Sequence, residues 1–302
     1  MVIWGTVFYV SNIFVHYPFL DMTMSPVAIA IINTAFRAAT VCVLFGFIPK
    51  IEKLVCKLIK DSPEDLEDMA DSADFDLLEE RLLAYPALAI GQCRRVLRGM
   101  SKNVRKNVGR ALDLVDGYER ERYNKVQSKE ELIDKYETKI GEYLMQLTKR
   151  EMNTAQTRQV SLYLHIISDL ERAGDYASKV TNEINESNIE LSKEAIEELD
   201  VIMGAVRETV SLTETTLRER EEEGAFRVRS LSLVVAALAE EMKMRHVTRL
   251  SHGDCELRQG TAFNELLNSF ERITAHCTGA VTAVIKMEEN DPDMHIHSSI
   301  LD

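Results

Sequence analysis

The chain has 302 residues, 45% hydrophobic and 28% charged, which is typical of a folded protein of about two domains. Its 13 glycines and 6 prolines are few, which argues against disordered chains, collagen and sheet-rich folds with many tight turns. The net charge of −13 argues against a broad nucleic-acid-binding surface, so no nucleic-acid partner is expected. Five widely separated cysteines lack the paired spacing of a disulfide framework or a zinc motif.

Charge divides the chain into regions. Residues 1–60 contain 5 Lys/Arg and 2 Asp/Glu, residues 61–80 contain 10 acids and no base, and residues 81–302 contain 31 bases and 37 acids. Repulsion among the uncompensated acids predicts a solvated linker at 61–80, extended at least as far as Ala73. We expect a helical domain at 81–290 and a tail at 291–302.

The first region is apolar enough to predict a membrane segment at 1–60. Pro26–Ile48 holds 17 hydrophobic residues in 23, and Arg37 is its one charge. A helix of this length spans roughly 34 Å, against about 30 Å for the bilayer core. Val2–Leu20 is a weaker second candidate, and no basic stretch precedes it, so we expect no cleaved signal peptide. The alternative for Pro26–Ile48 is a buried helix of a soluble protein.

The orientation of this predicted span follows from its basic flank. Four lysines come directly after it: Lys50, Lys53, Lys57 and Lys60. Positive charge beside a span favours the cytoplasmic side, so we expect an inner (cytoplasmic) membrane location with the helical domain facing the cytoplasm.

Hydrophobic spacing of three and four predicts six helices in the third region. They run at about 86–123, 128–150, 154–186, 192–224, 225–251 and 261–289. Ser128 and Glu131 form a candidate capping box for the second helix. The predicted helix lengths follow the order long, medium, long in each half of this region. The segments DLERAGDYASKV (169–180) and SFERITAHCTGAV (269–281) also align on a shared Glu-Arg pair. We therefore predict an all-α protein, with a transmembrane helix (or two) before two tandem three-helix bundles at 86–186 and 192–289.

Two carboxylate pairs stand out in the first bundle. Glu130 and Asp134 are four residues apart on one helix, and Glu171 and Asp175 repeat this spacing on the next. Such pairs lie on one helix face and repel each other. Four converging carboxylates would need a cation, and Gly174 would allow the two helices to approach closely. The alternative is a solvated surface with ordinary ion pairs, as in Glu131–Lys135 and Asp175–Lys179.

Several segments resemble a known family. LIDKYETKIGEYL and SDLERAGDYASKV are similar to the signatures of the PhoU family, whose Glu/Asp-x-x-x-Asp motifs bind iron, manganese or zinc. LLEERLLAYPALAIGQCRRVLRGM and RHVTRLSHGDC resemble the PhoU-like C-terminal domain of bacterial Na+/phosphate cotransporters. SPVAIAIINTAFRAATVCVLFGFIPKIEKLVCKLI resembles the last transporter helix before that domain. By position, the resemblance implies a transition metal on Glu130, Asp134, Glu171 and Asp175.

The second bundle departs from the family pattern. The corresponding positions are Ser232, Ala236, Glu271 and Ala275, and no Asp or Glu occurs from residue 225 to 239. We therefore expect no second metal cluster. His276 and Glu271 could bind an ion weakly, although a helix-surface pair is the better interpretation.

The front of the chain also departs from the family. The transport core of such cotransporters has two inverted repeats with Gln-Ser-Ser-type motifs, whereas this chain has no such motif and at most two spans before Lys50. The resemblance implies the C-terminal portion of a cotransporter, with the remaining helices missing or supplied by a transporter partner. Alone, it should not form a phosphate pathway.

Two other functions compete with this interpretation. One is a stand-alone PhoU-like, metal-binding regulator of phosphate uptake. The other is a di-metal oxidase, but those sites add Glu-x-x-His motifs, and His165 is six residues before Glu171 and on another face. We expect no catalytic or cofactor-binding residues and no enzyme activity. The sequence leaves open whether the chain forms a homo-oligomer.

Overall fold

The computed structural model describes residues 9–15, individual positions between 25 and 45, and residues 73–187, 193–252 and 257–288. The chain divides into two compact units, residues 1–66 and 67–302. About half of the predicted span Pro26–Ile48 lies outside the described residues. Within the described residues, no helix has both the length and the apolar content to span a membrane.

The described residues of the second unit form six long helices after a short 3-10 helix at Glu80–Ala84. They are α1 (Pro86–Asp116), α2 (Arg120–Leu147), α3 (Thr154–Ser187), α4 (Lys193–Glu219), α5 (Glu222–His252) and α6 (Leu257–Glu288). The described residues contain no strand, which confirms the all-α prediction. The lengths are 31, 28, 34, 27, 31 and 32 residues, so the second trio does not repeat the long–medium–long pattern.

The six helices form two three-helix bundles, as predicted. The bundles share one continuous core, which was not predicted. Helices α1, α2 and α3 pack on one another, and so do α4, α5 and α6. The bundles join through α3 against α6 and α1 against α4, and α3–α6 is the most extensive helix pair. Tyr136 and Ile133 fill the first bundle and Phe263 and Phe270 the second, all almost fully buried.

Helices α3 and α6 run antiparallel along most of their length. At one end Arg158 donates to the Lys286 carbonyl at 3.3 Å, and at the other Arg258 donates to the Glu186 carbonyl at 3.4 Å. Midway, Gly279 lies against the Asp169 carboxylate, where a Cβ would clash. The missing side chain therefore allows the two halves to approach closely here.

The boundary between the first two helices differs from the prediction. Helix α1 ends at Asp116, and α2 already begins at Arg120. Ser128 and Glu131 therefore lie inside α2, and the predicted capping box is wrong. The break falls at Gly117, whose backbone is extended.

Contacts with α3 hold the early turns of α2. Tyr123 donates to the Asn182 amide oxygen at 2.9 Å, and Gln127 donates to Thr181 at 3.0 Å. Just before α2, Tyr118 donates to Asn185 at 2.6 Å. These are tertiary interactions, so local sequence signals could not show that the helix starts early.

The turn between α4 and α5 is made by an unexpected residue. The EEEG segment at 221–224 predicts a helix end at Gly224, but α4 ends at Glu219 and Arg220 takes the left-handed conformation with φ 61°. Arg220 is held there by donating to the Tyr163 hydroxyl at 2.8 Å. Gly224 is already in the first turn of α5, where a Cβ would clash with the Thr216 hydroxyl.

The acidic segment predicted as a linker at 61–80 is partly folded. Its residues 61–72 lie outside the described residues, but from Ala73 onward the chain packs on the first bundle. Tyr136 donates to the Asp74 carboxylate at 2.8 Å, Tyr143 donates to the Glu79 carbonyl at 2.9 Å, and Phe75 contacts the Tyr136 ring. The linker prediction is therefore wrong for residues 73–80.

Candidate metal centre

The site is built where Gly174 lets α2 and α3 approach closely. Gly174 on α3 is buried, and a Cβ there would lie 3.1 Å from Ile133 Cδ1 on α2. The glycine thus lets the two helices pack with Ile133 between their backbones, as predicted for Gly174. The flanking residues on both helices are the predicted carboxylates.

Three of the four predicted ligands converge. Carboxylate oxygens of Glu130, Asp134 and Asp175 all lie within 4.8 Å of one another. Glu171 is outside this set, but its carboxyl group interacts with Asp175, by charge repulsion and by a side-chain hydrogen bond that both raise the pKa of Glu171. Hydrogen bonds between carboxyl groups require a shared proton, which a cation could replace.

Burial and repulsion between the carboxylates raise the pKa values of Glu130, Asp134 and Glu171. Burial, together with Asp134 and Asp175, raises the pKa of Glu130 to about 7. Burial, together with Asp175 and Asp134, raises the pKa of Glu171 to about 7 as well. Burial and the neighbouring Asp175 and Glu131 also raise the pKa of Asp134. A divalent cation among these oxygens would remove the repulsion that causes part of these shifts.

The competing interpretation as ordinary ion pairs is not what the structure shows. Lys135 lies over the Phe75 ring at 5.1 Å rather than beside Glu131. Lys179 lies over the Tyr176 ring at 4.3 Å rather than beside Asp175. Glu130, Asp134 and Asp175 therefore face one another instead of Lys135 and Lys179. The donor set fits a hard cation held by oxygen ligands.

His165 does not join the cluster. It is exposed on α3 and lies outside the three-carboxylate set. No group of three metal-ligating side chains other than Glu130, Asp134 and Asp175 occurs among the described residues. The centre therefore has oxygen donors and no imidazole, unlike Glu-x-x-His sites.

The corresponding positions of the second half form a different environment. Lys243 donates to Glu271 at 2.5 Å, so the one remaining carboxylate is neutralised by an ion pair. Ser232, Ala236 and Ala275 line a half-open cleft of about 790 Å³ beside it. Sequence reasoning missed this cleft, because it arises from small side chains on α5 and α6 facing the end of α3.

His276 and Glu271 do not form a joint site. His276 Nδ1 lies 3.0 Å from the Asp169 carboxylate, and its ring stacks on Tyr176 with centroids 5.8 Å apart. It therefore connects α6 to α3. Asp169 is two residues before Glu171, so this contact holds α3 against α6 close to Glu171 and Asp175.

The segment RHVTRLSHGDC (245–255) contributes to helix packing through its described residues, 245–252. Arg249 makes a two-pronged pair with Glu198 on α4, at 3.1 and 2.8 Å. His246 is buried, contacts the Phe263 ring at 5.2 Å, and packs against Gly260 on α6. The segment thus holds α5 to both of its neighbours.

Comparison with known proteins places this geometry in context. The PhoU domain model matches residues 97–184, a range that contains all four predicted ligands. A PhoU crystal structure from Pseudomonas aeruginosa superposes with a TM-score of 0.62 at 21% identity, covering 67% of this chain and 97% of that one. The phosphate transport system regulatory protein PhoU from Streptococcus pneumoniae gives 0.59 at 14% identity, covering 68% and 98%. The chain is PhoU-like. No curated protein sequence matches it.

The PhoU-like part coincides with the helices that build the carboxylate cluster. The matched residues run from within α1 to near the end of α3, so they take in the first bundle. The two PhoU structures each align with about two thirds of this chain, which shows that the fold likeness extends beyond the matched domain. The cotransporter context expected for 1–60 is not shown by these comparisons.

Proposed function

We propose that the chain is a metal-binding, PhoU-like regulator of phosphate transport, with its metal on Glu130, Asp134, Glu171 and Asp175. The observation that carries this proposal is the convergence of three of these carboxylates within the residues that match the PhoU domain. Iron, manganese and zinc are the candidate metals. The ion would neutralise the cluster and fix α2 against α3.

Asparagine variants test the metal site. Asp134→Asn/Asp175→Asn should abolish metal-dependent stabilisation, because the amides remove two negative charges from the cluster. Wild type should gain about 2.7 kcal/mol at a hundredfold excess of metal over its dissociation constant. Elemental analysis and thermal unfolding with and without chelator measure both effects.

Glu271→Gln is the matched control. It removes a carboxylate at the corresponding position of the second half, where Lys243 already pairs with it, and should leave metal content unchanged. Metal loading that survives the Asp134/Asp175 double variant, or disappears only with Glu271→Gln, would refute this assignment.

Regulation of transport is tested in cells. A strain carrying the Asp134→Asn/Asp175→Asn variant should lose its normal adjustment of phosphate uptake to external phosphate, whereas the Glu271→Gln strain should keep it. Radiolabelled phosphate uptake measures this. Equal uptake in both strains and in a deletion strain would argue against a role in phosphate transport.

We further propose that the chain is the membrane-anchored C-terminal portion of a Na+/phosphate cotransporter. The apolar, lysine-flanked residues 1–60, joined to a PhoU-like domain, support this. We infer that Lys50 and the helical domain face the cytoplasm and that transporter helices from another polypeptide complete the membrane part. A reporter fused after residue 60 should give a cytoplasmic signal.

A stand-alone regulator remains the second candidate, since the PhoU-like matches fit it equally well. Fractionation distinguishes the two. Recovery in the membrane fraction after an alkaline carbonate wash supports the cotransporter portion, whereas recovery without detergent in the soluble fraction supports the stand-alone regulator. Neither candidate is an enzyme, and we propose no catalytic residue.

A further inference from the structure

Helix α1 and the turn before it form a basic stretch in an otherwise acidic chain. Residues 81–112 contain eight Lys/Arg and no Asp/Glu, whereas the net charge of the whole chain is −13. Carboxylates resume only at Asp113, near the end of α1. A run of one sign on a helix is usually a solvated face, so its geometry and its partners decide whether it can bind an anionic surface.

One side of α1 carries these bases into solvent. Leu88, Arg95, Arg98 and Lys102 are spaced 7, 3 and 4 residues apart, which places them on one side of the helix, and all four are exposed. Tyr85 comes three residues before Leu88 and directly before the helix. We call these five residues the α1 stripe.

The charges of the α1 stripe are not used in ion pairs within the described part of the chain. Arg95 and Lys102 pair with no described carboxylate. Arg98 donates to the backbone carbonyl of Arg218 at 3.4 Å rather than to a carboxylate. These three cationic groups are therefore available to an external anion.

Acids that border the basic part of the stripe are themselves paired. Glu214 on α4 pairs with Arg105 and lies 3.7 Å from Arg218. Asp113 pairs with Arg207 at 2.6 Å. Charges more than about 10 Å away are screened at physiological salt, so the acids on other sides of the molecule weigh little here. We therefore expect a positive field above the stripe.

The other end of the stripe is apolar. Tyr85 and Leu88 are 64% and 58% exposed. Of the two acids just before them, Glu79 pairs with Arg81, and Glu80 is exposed. Tyrosine is favoured at the headgroup level of membranes, because its ring is apolar and its hydroxyl is polar.

We propose that the α1 stripe binds the anionic headgroups of a phospholipid membrane. Arg95, Arg98 and Lys102 contact the phosphates, and Tyr85 and Leu88 enter the headgroup region beside them. Helices that lie on membranes combine Lys and Arg with exposed apolar residues in this way, and clustered bases select anionic lipids.

The place of the stripe in the chain favours a lipid surface over an acidic protein. Helix α1 is the first long helix after the predicted membrane segment at 1–60, and residues 61–72 between them reach at most about 45 Å. A tethered domain would meet the headgroups at high effective concentration, so individually weak contacts would suffice. This step rests on the proposed membrane anchor.

Lysine acetylation of the full-length protein tests the proposal. The protein is placed in vesicles of phosphatidylcholine alone or with about one third phosphatidylglycerol, and mass spectrometry follows Lys102. Phosphatidylglycerol should slow acetylation of Lys102 about fivefold, and about 0.5 M salt should remove this protection. Lys179, in the cleft between α3, α5 and α6, is the internal reference and should react equally in both vesicles.

Charge reversal tests the surface. Arg95→Glu should abolish the protection of Lys102, because it removes a positive charge from the stripe and adds a negative one. Arg229→Glu makes the same change of charge at an exposed position of α5 and should leave the protection intact. Both variants should retain the wild-type circular dichroism spectrum.

Several outcomes would overturn the proposal. One is equal acetylation of Lys102 in both kinds of vesicle, and another is an equal effect of Arg95→Glu and Arg229→Glu. Protection by polyglutamate but not by phosphatidylglycerol would assign the stripe to an acidic protein instead. Failure of the membrane anchor is a separate result, measured by the alkaline carbonate wash, because neutral vesicles can hold an inserted anchor without offering anionic headgroups.

Discussion

Gly260 on α6 shows how one missing side chain can determine helix packing. The buried ring of His246 occupies the space where a Cβ would be, and it also packs on the Phe263 ring, with centroids 5.2 Å apart. A side chain at residue 260 would therefore have to displace a ring that has little room to move. The predicted sixth helix began only at about residue 261, so the sequence did not show that Gly260 lies inside a helix and packs against His246.

We expect Gly260→Ala to destabilise the protein by about 2 kcal/mol, because overpacking at His246 outweighs the better helix propensity of alanine. Urea unfolding measures this. Gly204→Ala on α4 is the control, since a Cβ there meets nothing within 4 Å, and it should stabilise by about 1 kcal/mol. If His246→Ala does not reduce the cost of Gly260→Ala, the steric explanation is wrong.

Individual residues also mark the limit of sequence reasoning about turns. A glycine is the usual left-handed residue after a helix, and Gly224 was the natural candidate. The structure uses Arg220 instead, with Tyr163 as its hydrogen-bond acceptor. Tyr163 is 57 residues away in sequence, so the sequence around Arg220 does not show the hydrogen bond that stabilises this conformation.

At the scale of helices, the packing of α2 on α3 brings together carboxylates that the sequence spaces four residues apart on each helix. The i,i+4 spacing placed Glu130 with Asp134 and Glu171 with Asp175, and the structure brings Glu130, Asp134 and Asp175 together. Spacing could not predict that Glu171 stays outside the set, because that depends on how α3 is rotated against α2. Nor could it predict that nearby lysines stack on aromatic rings.

The cluster should make the metal-free protein less stable as pH rises. Glu130 and Glu171 have pKa values of about 7 in the folded state, above their ordinary value of 4.5. Between these values the folded state binds more protons than the unfolded state, so the free energy of unfolding falls as pH increases from about 4.5 to about 7. Because both groups are partly exposed, we expect a loss on the order of 1 kcal/mol.

Urea unfolding with chelator across this pH range measures the effect. Glu130→Gln/Glu171→Gln should flatten the profile, because glutamine does not titrate. Glu142→Gln, at an exposed carboxylate of α2 outside the cluster, should leave the slope unchanged. A slope that is identical in the wild type and in Glu130→Gln/Glu171→Gln would contradict the raised pKa values.

The whole second unit is expected to unfold as one body. Its two bundles share a continuous core. Arg207 with Asp113 at 2.6 Å and Arg105 with Glu214 connect α1 to α4, in addition to the contacts of α3 with α6. Neither bundle covers its own apolar surface completely, so separate stability is not expected.

A piece comprising residues 73–288 should therefore show a single cooperative transition, with coincident far-ultraviolet and near-ultraviolet circular dichroism melts. Residues 73–187 alone should melt at a much lower temperature or without cooperativity. Two separated transitions in the longer piece, matching those of the separate halves, would show that the bundles fold independently.

The sequence predicted two bundles but not how they associate. Matching text at 169–180 and 269–281 predicted two related three-helix bundles, and the structure contains two three-helix bundles, although their helix lengths do not repeat. Periodicity identifies an apolar helix face without saying which helix covers it. The pairing of α3 with α6 therefore emerged only in three dimensions, together with the Asp169–His276 contact that accompanies it.

The antiparallel pairing of α3 with α6 also has a consequence for synthesis. About 100 residues separate the end of α3 from the end of α6. At bacterial and eukaryotic elongation rates of about 5–20 residues per second, a ribosome needs roughly 5–20 s to produce that stretch. During this delay the nascent first bundle has nothing to place against the side of α3 that carries Asp169 and Tyr176. That side is where we expect molecular chaperones to bind the growing chain.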